Sequence, residues 1–180
     1  MKAILFASVC LLNAVHSGPA MAEASEPTEL AQAFVGNCVL NAGRNDKIES
    51  AASVLGFEEL AGEMALMFAP QDPTAKYRGW VAKGNKPELF ILGISQSILD
   101  GVEMSTCVVG NPQIDSEQVL AALRAIITLE ELRYDDSESG QRYRIWGTDD
   151  ITKNSFISLV DAKKLGIAGG TFSFSAPTER

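Results

Sequence analysis

The chain has 180 residues, 46% of them hydrophobic and 21% charged, with a formal net charge of −8. That length and apolar content suit one domain with its own core. Acidic residues are spread along the chain with basic ones between them. This argues against nucleic acid, whose binding needs Lys and Arg to neutralise phosphate, and against docking on an anionic membrane surface.

Residues 1–22 read as a secretory signal. Lys2 is a short positive region, Ala3 to Val15 is apolar, and Gly18-Pro19-Ala20-Met21-Ala22 ends in an A-x-A pattern. Cleavage after Ala22 leaves 158 of the 180 residues and, with Lys2 gone, moves the formal charge from −8 to −9. The apolar run is shorter than the roughly 20 residues a spanning helix needs, so no membrane span is expected in the mature chain. The expected location is periplasmic or secreted. Cys10 and His16 leave with the leader, and the folded body then has no histidine, the side chain whose unperturbed pKa lies nearest neutrality. Cys38 and Cys107 remain. In an oxidising compartment such a pair most simply closes one disulfide, with two buried free thiols as the alternative. No C-x-x-C occurs, which argues against a thioredoxin-like redox role.

After a loose lead-in over residues 23–29, Glu29 to Val39 reads as a helix with Pro27 at its start. Leu30, Phe34 and Cys38 recur every four residues and share one face, pointing Cys38 at the core. Asn41-Ala42-Gly43 ends this helix. A second covers Asp46 to Leu55, is interrupted at Gly56, and continues from Glu58 to Phe68 before Pro70 and Pro73. The period then changes. Tyr77 to Ala82 and Glu88 to Ile94 read as strands joined by a hairpin loop over Lys83 to Pro87, and Val102 to Val109 as a third strand. In that strand Cys107 alternates with Ser105 and Glu103, so either a bulge intervenes or Glu103 lies outside the ladder. Asp115 to Leu132 is the clearest helix, opened by a capping-box-like Asp115 and Gln118 and striped by Val119, Leu123, Ile126 and Ile127. Asp135 to Gly140 reads as an acidic turn. Gln141 to Trp146, Ser155 to Val160 and Thr171 to Ser175 complete the strands, the last with Phe172 and Phe174 alternating with polar residues.

Short matches recur in order. Tyr77-Arg78-Gly79-Trp80 returns 66 positions later as Tyr143-Arg144-Ile145-Trp146; Phe90-Ile91 returns as Phe156-Ile157 and Ile48-Glu49-Ser50 as Ile114-Asp115-Ser116. With one shift, Phe57-Glu58-Glu59-Leu60 matches Leu129-Glu130-Glu131-Leu132. A repeated unit of one helix and three strands accounts for all four; coincidence among short strings is the alternative.

Most catalytic chemistries lack their residues. There is no Gly-x-Ser-x-Gly, no Ser-x-x-Lys, no phosphate loop and no histidine base outside the leader. The acidic pairs Glu58/Glu59, Glu130/Glu131, Asp135/Asp136 and Asp149/Asp150 are adjacent, and neighbours on a helix or strand point apart. A calcium loop counted from Asp135 places Trp146 where a bidentate Glu is required. No cofactor and no metal are expected.

The remaining candidates are Arg78, Trp80, Arg144 and Trp146. Arg78 and Trp80 share one strand face, and Arg144 and Trp146 share another; if Tyr143 and Ile145 face the core, both pairs lie on the outside of the sheet. Arg and Trp are enriched at binding hot spots. The alternative is that each Trp is covered and carries its Arg stacked on the ring.

The string Phe34-Val35-Gly36-Asn37-Cys38-Val39, with Gly79-Trp80 and the strand ending Thr106-Cys107-Val108-Val109, resembles a group of small exported bacterial proteins with no assigned activity. The resemblance implies a disulfide-linked α+β domain and no catalytic residue. In outline, the tandem helix-plus-antiparallel-sheet layout is similar to β-lactamase-inhibitor-like proteins, by fold analogy only. The expected architecture is α+β: N-terminal helices and one central helix packed on an antiparallel sheet of five or six strands. The expected role is a non-catalytic binding or accessory protein that engages a protein or another cell-envelope component through Arg78, Trp80, Arg144 and Trp146. A carboxylate-dependent hydrolase acting on an envelope polysaccharide is the alternative.

Overall fold

The computed structural model describes residues 26–70, 72, 74–82 and 90–178. The expected leader and the hairpin loop over Lys83 to Pro87 lie outside the described residues. Helix α1 (Glu26–Phe34) runs directly into a π-turn (Val35–Val39), followed by α2 (Asn45–Val54), a two-residue strand β1 (Glu58–Glu59) and α3 (Gly62–Phe68). Then come β2 (Lys76–Ala82), β3 (Phe90–Leu99), β4 (Val102–Asn111), α4 (Ser116–Ile126), β5 (Leu132–Glu138), β6 (Gln141–Gly147), β7 (Phe156–Asp161) and β8 (Gly170–Pro177).

All eight strands form one antiparallel sheet in the order β1-β2-β3-β4-β8-β7-β6-β5. This corrects the expected α+β packing of one central helix on five or six strands. The sheet is two strands larger than that upper figure, and α4 packs mainly against α1 within a shared helical layer. The helix-plus-three-strand unit is corrected too, because each half contributes four strands. Each half starts at a rim, with β1 or β5, and works inward to β4 or β8, which pair at the centre. The tight turns Asp100-Gly101 and Ser139-Gly140 have positive φ at both residues, the geometry that two-residue hairpins use because its twist matches the strands.

One face of the sheet lies under the helices. Phe34, Cys38, Ile48, Val119 and Leu123 come down on Leu92, Val109, Leu159, Phe172 and Phe174 from the strands, all buried. Phe34 and Phe172 meet ring to ring at 6.0 Å. The predicted Leu30, Phe34, Cys38 face is buried throughout, and Cys38 is bonded to Cys107 across a Cα–Cα distance of 5.2 Å. Two free thiols are therefore set aside. The β3–β4 register continues unbroken from Ile91↔Gly110 to Leu99↔Val102, so no bulge is needed to bring Cys107 inward. Glu103 lies inside that ladder, and it is exposed because β8 pairs only as far as Met104↔Pro177.

Among the described residues, the opposite face is covered at one end only. There Leu60, Val81 and Ile91 pack with Ala65 and Phe68 of α3. Tyr77 lies across Gly79 and Gly93, where a Cβ on Gly93 would stand 3.1 Å from its ring. Burial pushes the Tyr77 phenol up to about 12. Over β4 to β7 this face carries small polar pairs such as Thr106 and Ser175, whose hydroxyls are 2.8 Å apart.

Helix α4 begins where the sequence places it. The Asp115 side chain accepts from the backbone N–H of Glu117 at 2.8 Å and of Gln118 at 3.1 Å, and Lys163 donates to its other oxygen at 2.9 Å. It stops at Ile126, six residues before the expected end, where the β-branched Ile126-Ile127-Thr128 run disfavours further turns. The Lys163 hydrogen bond, ahead of the two backbone ones, lowers the Asp115 carboxyl below its ordinary value. A carboxyl with a depressed folded-state pKa contributes stability above its unfolded pKa and loses it as pH falls through the folded one. Asp115→Ala should cost about 1 kcal/mol, read as a melting point roughly 3 °C lower near neutral pH. The gap to wild type should close on acidification below the carboxylate range; a constant gap down to low pH would contradict the cap's ionic contribution.

Candidate functional site

The strand alternation that sets Arg78 with Trp80, and Arg144 with Trp146, holds, but both pairs point into the helix-covered face. Trp80 is 5% exposed and Trp146 3%, so the expected outer placement is corrected. Tyr143 and Ile145 take the uncovered face instead, half-buried. The register joins the two pairs through the sheet. One row runs Arg78, Ile94, Cys107, Phe174, Ile157, Trp146 across six strands; the next runs Trp80, Leu92, Val109, Phe172, Leu159, Arg144. Each row begins with one member of a pair and ends with the other member of the opposite pair. The recurring Tyr-Arg-x-Trp string therefore marks equivalent places on either side of the β4–β8 seam.

The two places are filled differently. Arg144 is 5% exposed, reaches Asp161 at 2.8 Å and Glu117 of α4 at 2.7 Å, and lies 5.8 Å from the centre of the Trp146 ring. Arg124 of α4 sits over the same ring at 5.9 Å. Helix, ion pair and indole bury both members of this pair, Trp146 being 3% exposed.

Around Arg78 the helix stands off and a cleft of about 510 Å³ remains. Asp46, Glu49, Ser50 and Ser53 of α2 line one wall, spaced i, i+3, i+4, i+7 and so presented on a single helical face. Phe57, Glu59, Arg78 and Trp80 make the floor and the other wall. β1 exists here because Glu58 and Glu59 pair with Val81 and Trp80, which places the Glu59 side chain beside Arg78. Arg78 donates to Glu49 at 2.8 Å and holds both oxygens of Glu59 at 3.2 Å each, with its guanidinium 5.1 Å from the Trp80 ring centre. The Glu59 hydrogen bonds, helped by the charges of Glu49 and Glu59 and opposed by desolvation, raise the Arg78 pKa above its ordinary value. Three carboxylates against one guanidinium leave the cleft formally at −2. Phe57 is braced edge-on against Phe90 at 5.6 Å.

In the pairs Glu130/Glu131, Asp135/Asp136 and Asp149/Asp150, one carboxylate of each is engaged elsewhere. Asp135 holds Arg142, Glu130 holds Arg133 and the Asp149 N–H, and Asp149 accepts from the Asn154 N–H. The stretch from Asp135 to Trp146, tested above as a calcium loop, is the β5–β6 hairpin and cannot wrap an ion. Among the described residues no group of three or more His, Cys, Asp or Glu is arranged to hold a metal, and no helix is long and apolar enough to cross a membrane.

No family model, curated protein or solved structure matches this chain.

Proposed function

We infer that the chain is an exported, non-catalytic binding or accessory protein that engages a protein or other envelope component through the Arg78–Trp80 cleft. The observation that carries this is the contrast between two equivalent Arg–Trp places, one closed by α4 and one left open with surplus negative charge. The group best suited to the open place is a cation with an apolar stem, such as a Lys or Arg side chain. Its charge would meet Asp46, Glu49 and Glu59, and its stem would lie against Phe57 and Trp80. Arg78 acts as a positioning residue, fixing both glutamates by its hydrogen bonds.

Binding is favoured over carboxylate-dependent hydrolysis because Glu49 and Glu59 are both bonded to one guanidinium. A glycosidase needs one carboxyl free to hold a proton and a second to act on the sugar. A partner retained from envelope extract by the wild-type chain should be lost when Glu49→Gln and Glu59→Gln are combined. Both positions are exposed, so the melting temperature should move little. Retention that survives this double substitution would remove the cleft as the site.

A further inference from the structure

The rims of the sheet are unequal. β1 has only two residues, and the chain turns from it into α3. β5 has seven residues, every one exposed, and it is the last strand in the sheet order. One side of β5 pairs with β6; on the other no described strand pairs with it. There Asp135 and Ser137 turn their N–H and C=O groups outward, the Ser137 N–H being held by the Asp136 carboxylate and the rest forming the template on which a further strand can be laid.

The side chains say what such a strand must be. From the β5–β6 register, Tyr134, Asp136 and Glu138 lie on the uncovered face of the sheet, opposite Ile145, Tyr143 and Gln141, and Asp135 and Ser137 lie on the helix side. Asp135 is already held by Arg142 through both oxygens. Asp136 accepts only from the Tyr134 hydroxyl at 3.1 Å and from the neighbouring Ser137 N–H at 2.7 Å. The free negative charge is therefore on the uncovered face, two residues apart, next to an exposed aromatic ring. A second copy of the chain fits badly. Symmetric antiparallel pairing about the middle of β5 sets Asp135 against Asp135 or Asp136 against Asp136, and like charges directly opposite are destabilising.

We propose that β5 is a strand-addition site for an extended basic segment of another protein. Laid antiparallel, that segment places cations opposite Glu138 and Asp136 and an apolar residue opposite Tyr134. It therefore reads, from its N-terminus, Lys-x-Lys-x-Phe with small polar residues at x. Main-chain hydrogen bonds supply the register and the alternating side chains the selectivity. This site is separate from the Arg78 cleft and does not depend on it.

The test uses the full chain and a fluorescent, end-capped Lys-Thr-Lys-Thr-Phe-Thr peptide read by anisotropy. Asp136→Lys combined with Glu138→Lys should weaken binding about tenfold, as two attractive cross-strand pairs become repulsive. N-methylation of alternate peptide amides should weaken it comparably in one of the two registers, and Glu49→Gln/Glu59→Gln should leave it unchanged. Failure of the peptide to bind, equal binding to the charge-reversed chain, or self-association through β5 in sedimentation would each overturn the proposal. Loss of binding in the Glu49→Gln/Glu59→Gln chain would overturn it as well, by locating the peptide in the cleft.

Discussion

Replacing Cys38 and Cys107 together by Ala should lower the stability of the chain by about 4 kcal/mol, the chain-entropy value for a closed loop of this size. For a domain of this length that is a melting point roughly 12 °C lower. The bond joins residues 69 positions apart and anchors the π-turn after α1 to the middle of β4. Cys38 is fully buried beneath the helical layer and Cys107 is 3% exposed, so each Ala also leaves a small void beside Phe174 and Ile94, adding to the loss. Differential scanning calorimetry of the double variant and of the wild type with reductant should agree to within the cavity contribution. A loss under about 1 kcal/mol would mean that helix packing already restrains the reduced chain.

Asp161→Ala should be similarly damaging, for a different reason. Asp161 is 6% exposed and faces Arg144, itself 5% exposed, so removing the carboxylate leaves a buried guanidinium with one partner fewer. Breaking a buried pair from one side typically costs 3–5 kcal/mol; because Glu117 still reaches Arg144, the lower end, about 3 kcal/mol, is expected. Glu117→Ala should cost under about 1 kcal/mol, since Glu117 is half-exposed and Asp161 remains. Replacing the pair by Arg144→Met with Asp161→Leu should recover most of the loss, because no charge is then stranded. Denaturant titration of the three variants beside wild type decides the matter, and an Asp161→Ala chain as stable as wild type would sink it.

The parts of the fold legible in the sequence are those where alternation or helical period coincides with burial. Six strands were visible for that reason, β8 most clearly through Phe172 and Phe174. β5 was not, since an edge strand exposed on both faces has no apolar alternation to show, and its Asp135-Asp136-Ser137-Glu138 run reads as a turn. The actual turn is only Ser139-Gly140. β1 is too short for any period, and Gly56 and Phe57 divide α2 from it where a resumed helix was expected.

The candidate site was half legible. Strand parity correctly places Arg78 with Trp80 and Arg144 with Trp146. Which face is the inner one depends on a cost that cannot be judged locally. Burying Arg144 is tolerable only because Asp161, on the neighbouring strand, and Glu117, on α4, are there to meet it. The polar period of Asp46, Glu49, Ser50 and Ser53 was present in α2, but it becomes one wall of a cleft only because the unforeseen β1 brings Glu59 across from it.

The order of the sheet also bears on how the molecule is assembled. β8 follows every other element along the chain yet lies between β4 and β7, deep in the interior. Until it docks, the four strands β1–β4 and the three strands β5–β7 share no seam, and β4 and β7 both present bare backbone to whatever is nearby. Joining β4 to β8 brings together Thr106 and Ser175, 69 residues apart, so closure is a late, long-range event of the kind that slows folding. A partner that shields those two strands before β8 arrives would therefore act on folding without touching the finished surface.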